Sequence, residues 1–201
     1  MVDDSSANHA PVTDAPDRWI TFANGLTVIR LLLIPVVVAA IVRDHAAVAF
    51  AAFWLAVATD LVDGRVARRR GEASRLGGVL DHTTDALFVA SGLAACAWRG
   101  VIPFALPPLV LLAFAQYALD SRVLAGQRLR TSLLGRWNGI AYYVVLGVPV
   151  VRDALDLGWP PAWLLEALAW TFVASTGLSM LDRGQAWLAT RRAHDSPDAG
   201  R

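Results

Sequence analysis

Apolar residues in this chain gather into six blocks, at about residues 25–42, 46–61, 78–98, 101–119, 137–151 and 162–181, with short polar or basic stretches between them. The blocks approach the roughly 20 residues that a helix needs to cross a bilayer. A backbone in lipid must pair its polar groups internally, so each block is predicted to be a helix. The pattern thus predicts an all-α integral membrane protein, a six-transmembrane-helix bundle forming one domain over residues 19–190. Pro35 falls inside the first helix and is expected to kink it. Residues 1–18 are polar, lack the charged start and short apolar core of a signal peptide, and read as a disordered tail, as do residues 191–201. Between tail and first block, Trp19, Ile20 and Phe22 fit either a short N-terminal interfacial helix or an ordinary aromatic belt.

Composition supports the membrane reading. Of 201 residues, 56% are hydrophobic and 17% charged, against about a quarter charged in soluble domains. The single cysteine, Cys96, lies in an apolar block and reads as a small packing residue. Lysine is absent, so all 18 basic residues are arginines. With the N-terminus in the cytoplasm, fourteen of them fall on the cytoplasmic side, only Arg43, Arg99 and Arg152 fall on the other, and Arg30 lies within the first helix. That asymmetry is a topology signal, not a nucleic-acid signal, and places both termini in the cytoplasm.

Four aspartates break the apolar pattern: Asp60 and Asp63 at the end of the second block, Asp81 and Asp85 at the start of the third. Spacings of three and four put each pair on one helix face. Asp60 lies about 22 Å along a helix rising about 1.5 Å per residue, at or just inside the cytoplasmic boundary of a hydrocarbon layer about 30 Å thick. Gly64 and Ala67 leave the second helix's acidic face open to something flat. Antiparallel neighbours on a short loop pack together, so the two acidic faces converge at one depth. Each pair alone is compatible with a solvated helix end; together, flanked by membrane, they call for compensating cations. Two divalent ions balance four carboxylates, and oxygen ligands suit Mg²⁺ or Mn²⁺. Paired metals serve phosphoryl chemistry.

The run Asp60-x₂-Asp63-Gly64-x₂-Ala67-Arg68-x₈-Gly77-x₃-Asp81-x₃-Asp85 resembles the signature of the CDP-alcohol phosphotransferases at all eight positions. The resemblance covers about residues 19–190 and implies six helices with cytoplasmic termini, a homodimer, and transfer of a substituted phosphate from a CDP-linked donor to an alcohol with release of CMP. It implies that Asp60, Asp63 and Asp81 ligate metal and through it the donor pyrophosphate. Asp85 becomes the general base, also touching a metal. Gly64 and Ala67 border the cytidine, Arg68 pairs with donor phosphate, and Gly77 permits close approach of the third helix.

Two further stretches resemble the phosphatidylglycerophosphate synthase branch. In the first, running from Asn24 to Pro35, the resemblance turns Asn24 and Thr27 toward the nucleotide, with helix capping as the alternative. Arg30 there either neutralises the acids or snorkels to the interface. In the second, Leu134-Gly135-Arg136, the resemblance assigns Arg136, with Arg122, to the acceptor phosphate; positive-inside topology alone also accounts for arginines there. The chain departs from that branch in having His82-Thr83-Thr84 after the third aspartate and no lysine, which leaves the acceptor open. His82 is read as hydrogen-bonding at headgroup level in preference to ligating metal.

The expectation is therefore an inner- or plasma-membrane transferase whose site faces the cytoplasm, moving a phosphatidyl group from CDP-diacylglycerol to glycerol 3-phosphate. Inositol phosphate, serine or a second lipid are the alternative acceptors. Lipid tails are expected to enter sideways, where the fifth and sixth helices splay from the rest. A small transporter is the alternative from another class; it would favour polar residues at mid-membrane, and the centres of the fourth and fifth blocks read as almost wholly apolar.

Overall fold

The computed structural model describes residues 22–70, 75–123 and 133–195, with side chains over 25–62, 80–116, 118 and 138–185. Six helices are formed and no strand is present among the described residues: α1 Phe22–Val42, α2 Ala46–Arg70, α3 Arg75–Trp98, α4 Leu106–Val123, α5 Leu133–Ala154 and α6 Ala162–Asp195. Each apolar block yields one helix. Two stretches, Gly25–Val42 and Ala162–Gln185, are long and apolar enough to cross a membrane, and Ala46–Val62 and Leu106–Gln116 are shorter apolar stretches.

Three boundaries differ from the hydropathy reading by about five residues or more. Helix α4 begins at Leu106, five residues after the apolar block does, because Gly100 reverses the chain at φ 73° and Pro107 and Pro108 fit only a first helical turn. Helix α2 continues through the basic segment to Arg70, since arginine is a good helix former outside lipid. Helix α6 runs to Asp195, so residues 191–195, expected in a disordered tail, are helical. Helix α1 is one continuous element across Pro35. Trp19 and Ile20 lie outside the described residues, and Phe22 opens α1.

The helices form a ring in the order α1, α2, α5, α6, α4, α3, with α3 also packed on α5 across the middle. That cross-contact divides the bundle into two groups of four, α1–α2–α3–α5 and α3–α4–α5–α6. Two glycines make the division tight. A Cβ at Gly92 of α3 would lie 2.7 Å from a Leu146 methyl of α5, and one at Gly147 of α5 would lie 2.8 Å from the Phe53 ring of α2. The core runs through both groups, with Val37, Ala56, Phe88, Leu93, Leu146 and Ala169 buried. In the second group, uncharged polar contacts join the helices: Tyr142 and Thr176 share a 2.5 Å hydroxyl bond, Ser175 donates to Asn138 Oδ1 at 2.9 Å, and Gln116 donates to the Met180 carbonyl at 3.1 Å. Such bonds hold helices together where lipid supplies no hydrophobic drive. Helix α5 packs on α2 and α3, and α6 on α4, through these close approaches and hydrogen bonds.

Helices α1, α3 and α5 end together and in the same way. Each closes with a six-to-one bond, His45 N–H to the Ala40 carbonyl, Val101 to Cys96 and Leu157 to Arg152, at 2.8, 3.0 and 2.9 Å. The preceding residues, Asp44, Gly100 and Asp156, adopt left-handed φ values of 62°, 73° and 48°, the geometry of a Schellman cap. Arg99 ties the three ends, bonding Asp44 at 2.8 Å and Asp153 at 3.1 Å, while Arg152 bonds Asp153 at 2.8 Å. Cys96 is buried beneath this cluster as a free thiol, matching its reading as a packing residue.

Candidate functional site

The buried charge, Arg30, and its acidic partners sit in the first group of four helices. Counted at about 1.5 Å per residue from the end marked by the Arg99 cluster, Arg30 lies about 18 Å along α1, Asp60 about 21 Å along α2, Asp81 and Asp85 about 26 and 20 Å along α3, and Tyr143 about 17 Å along α5. Four separate helices thus deliver polar groups to nearly one level. Arg30 is the hub and is fully buried. One of its terminal nitrogens donates to Asp81 Oδ1 at 2.8 Å and also to Asp85 Oδ1; the other faces Asp60 Oδ1 at 3.3 Å. Of the two readings left open for Arg30, the structure shows the counter-charge and not snorkelling.

A buried guanidinium is tolerable only with such partners. Three carboxylates surround one cation, so this described set carries a formal excess of two negative charges. The carboxylates stay 32%, 26% and 22% exposed at Asp60, Asp81 and Asp85, which leaves them reachable. Asp81, His82 and Asp85 also offer ligand atoms that all lie within 4.8 Å of one another. Their chemistry, two carboxylates with one exposed imidazole, fits a divalent cation of the Mg²⁺ or Mn²⁺ kind, and the excess charge gives that cation an electrostatic reason to bind. His82, read from sequence as a headgroup contact, thereby joins the group able to hold a metal.

Tyr143 completes the arrangement. Its hydroxyl donates to Asp85 Oδ1 at 3.1 Å, and its ring stacks on the buried Phe88 with centroids 6.5 Å apart and planes 19° off parallel. Sequence reasoning passed over it because the fifth block reads as apolar; a tyrosine pair, Tyr142-Tyr143, within that block was the available signal, since buried phenols need partners. Asp63, Gly64, Ala67 and Arg68 continue α2, and Gly77 lies in α3; their surroundings are outside the described residues, as are the side chains of Asn24, Arg122 and Arg136. Thr27 lies one turn before Arg30 on α1 and is half-buried.

The architecture and site define a class: an all-helical, lipid-compatible bundle with an acid cluster assembled between adjacent antiparallel helices around a buried cation. The sequence profile described as CDP-alcohol phosphatidyltransferase matches residues 20–178, and the chain belongs to that family. Relatives carry related names. A cardiolipin synthase (CMP-forming) of Streptomyces coelicolor is 35% identical over 103 residues, 48% of this chain and 47% of that protein. A probable phosphatidylglycerophosphate synthase of Mycobacterium tuberculosis is 29% identical over 181 residues, 83% of this chain and 82% of that protein. A CDP-diacylglycerol--glycerol-3-phosphate 3-phosphatidyltransferase of Cereibacter sphaeroides is 29% identical over 148 residues, 69% of this chain and 66% of that protein. The chain spans about half the length of the cardiolipin synthases it matches, 47% and 43%.

Proposed function

We propose that this chain is a membrane phosphatidyltransferase that moves a phosphatidyl group from CDP-diacylglycerol to glycerol 3-phosphate and releases CMP. The observation that carries the reading is the convergence of Asp60, Asp81 and Asp85 on one buried guanidinium, at motif positions within a segment matched by the family profile. In the reaction the acceptor oxygen forms a bond to the phosphatidyl phosphorus as the phosphorus–oxygen bond to CMP breaks. Asp85 takes the acceptor's hydroxyl proton, raising the nucleophilicity of an otherwise weak alcohol. Asp60, Asp63, Asp81 and Asp85 would hold two divalent cations, Mg²⁺ or Mn²⁺. When bound, these supply electrostatic stabilisation to the donor pyrophosphate and the departing phosphate. Arg68 pairs with donor phosphate and adds to that stabilisation. Gly64 and Ala67 border the cytidine, Gly77 lets α3 approach, and Asn24 and Thr27 face the nucleotide. Arg122 and Arg136 bind the acceptor phosphate.

The site faces the cytoplasm of an inner or plasma membrane in this reading, with six spans and both termini cytoplasmic. The count of arginines on the two sides, fourteen against three, supports that orientation. Trp98, Trp159 and Trp163, at the far end, are 73%, 61% and 68% exposed, which suits an aromatic belt at a membrane interface of either side. Lipid reaches the acids from the bilayer, and the chain works as a homodimer by family resemblance.

A second reading keeps the donor chemistry and replaces the acceptor with a lipid alcohol; the likeness to a cardiolipin synthase favours it. One experiment separates the readings: incubate purified protein with CDP-diacylglycerol, Mg²⁺ or Mn²⁺ and glycerol 3-phosphate, phosphatidylglycerol, inositol phosphate or serine in turn. CMP release with glycerol 3-phosphate alone supports the first reading, and release with phosphatidylglycerol alone the second. No CMP with any acceptor refutes both.

A further inference from the structure

We propose that Tyr143 is a positioning residue for Asp85, fixing which carboxylate oxygen meets the acceptor. The inference rests on the reading of Asp85 as the base and extends it to a residue outside the aspartate motif, on a different helix.

The geometry is specific to one oxygen. Asp85 Oδ1 receives both the Tyr143 hydroxyl, at 3.1 Å, and the Arg30 guanidinium. The two donors arrive from α5 and α1, on either side of α3. Two donors on Oδ1 restrain rotation about the carboxylate's last torsion and favour Oδ2 as the oxygen that takes a proton. A carboxylate held by Arg30 alone would keep a broad torsional well, because torsions to planar groups are soft.

Tyr143 is itself held. Its ring lies against Phe88, which is fully buried one turn beyond Asp85 on α3. One turn further along α5, Gly147 admits the Phe53 ring of α2 to within what would be 2.8 Å of a Cβ. The missing side chain lets α5 settle against α2 and α3, and that approach carries the Tyr143 hydroxyl to the acid. The neighbouring Tyr142 turns the other way, to Thr176 of α6, so the two phenols serve different groups of helices. Tyr142→Phe is accordingly the control: it removes a buried hydroxyl of the same kind, one residue away, that does not touch Asp85.

The test compares Tyr143→Phe, Tyr143→Leu, Tyr142→Phe and Asp85→Asn with the unaltered protein, reading kcat, KM for CDP-diacylglycerol and Tm. Tyr143→Phe keeps the ring against Phe88 and loses only the hydroxyl. Its kcat is expected to fall about 10-fold, the effect of one hydrogen bond to a charged group, with donor KM within about twofold and Tm close to that of the unaltered protein. Tyr142→Phe is expected to leave kcat unchanged. A kcat in Tyr143→Phe equal to that of the unaltered protein overturns the proposal and leaves Asp85 as the base. A fall in kcat accompanied by an equal fall in Tyr142→Phe, or by a lowered Tm that Tyr143→Leu merely deepens, also overturns it, since packing then explains the loss. Full turnover in Asp85→Asn removes the base assignment and the proposal together.

Discussion

Replacing Arg30 with glutamine tests the electrostatic logic of the site. Arg30 is fully buried and touches three carboxylates, so Arg30→Gln leaves the acids facing one another without a counter-ion. Removing one partner of a buried ion pair costs about 3–5 kcal/mol. The carboxylates are 22–32% exposed, and water relieves part of the repulsion, which favours the lower end, about 3 kcal/mol. At about 2–4 °C per kcal/mol for a chain of this size, Tm should fall by about 6–12 °C in chelator. Saturating Mn²⁺ supplies the missing charge, so the loss in Mn²⁺ should be much smaller. The affinity should move the opposite way: a like charge about 4 Å from a cation opposes it by several kcal/mol even at an effective dielectric constant of about 20, so Mn²⁺ should bind at least about 10-fold more tightly to the variant. Thermal unfolding of the detergent-solubilised protein in chelator and in Mn²⁺, with Mn²⁺ titration followed by electron paramagnetic resonance, measures both. Arg30→Lys keeps the charge and should recover much of the stability in chelator. An equal Tm loss with and without Mn²⁺, or weaker Mn²⁺ binding by Arg30→Gln, would refute the view that guanidinium and metal answer the same excess charge.

Asp85→Asn should abolish CMP release while CDP-alcohol binding, measured by equilibrium dialysis, largely survives; Asp63→Asn should weaken metal-dependent donor binding as well. Gly147→Ala places a methyl against the Phe53 ring and should destabilise the bundle by about 1–3 kcal/mol through overpacking, visible as a lower Tm, with kcat falling because α5 is pushed from the acids. Arg99→Ala removes the ties between three helix ends, yet Arg99 is 28% exposed, so its loss should cost no more than about 1 kcal/mol and leave turnover unchanged; a large loss of activity would show that the two ends of the bundle are coupled.

The sequence alone determined the helices and which acids share a helix face. Six apolar blocks became six helices, the form in which an apolar segment pairs its backbone polar groups internally, and spacings of three and four placed each aspartate pair on one face. Hydropathy misjudged the ends of α2, α4 and α6, since it registers lipid compatibility, whereas caps, prolines and arginine-rich turns decide where a helix stops. Asp81 and Asp85 could be anticipated as neighbours across a short connection from Asp60. What α1 and α5 contribute could not: Arg30 was visible as an odd charge with two readings, and Tyr143 only as half of a tyrosine pair. Their roles depend on which face of each helix turns inward and at what depth, and that is set by side-chain packing between segments more than 50 residues apart. Gly147 against Phe53 and Gly92 against Leu146 fix those rotations. Local periodicity carries no information about them, so only the tertiary structure decided that one guanidinium and one phenol would share the Oδ1 atom of Asp85.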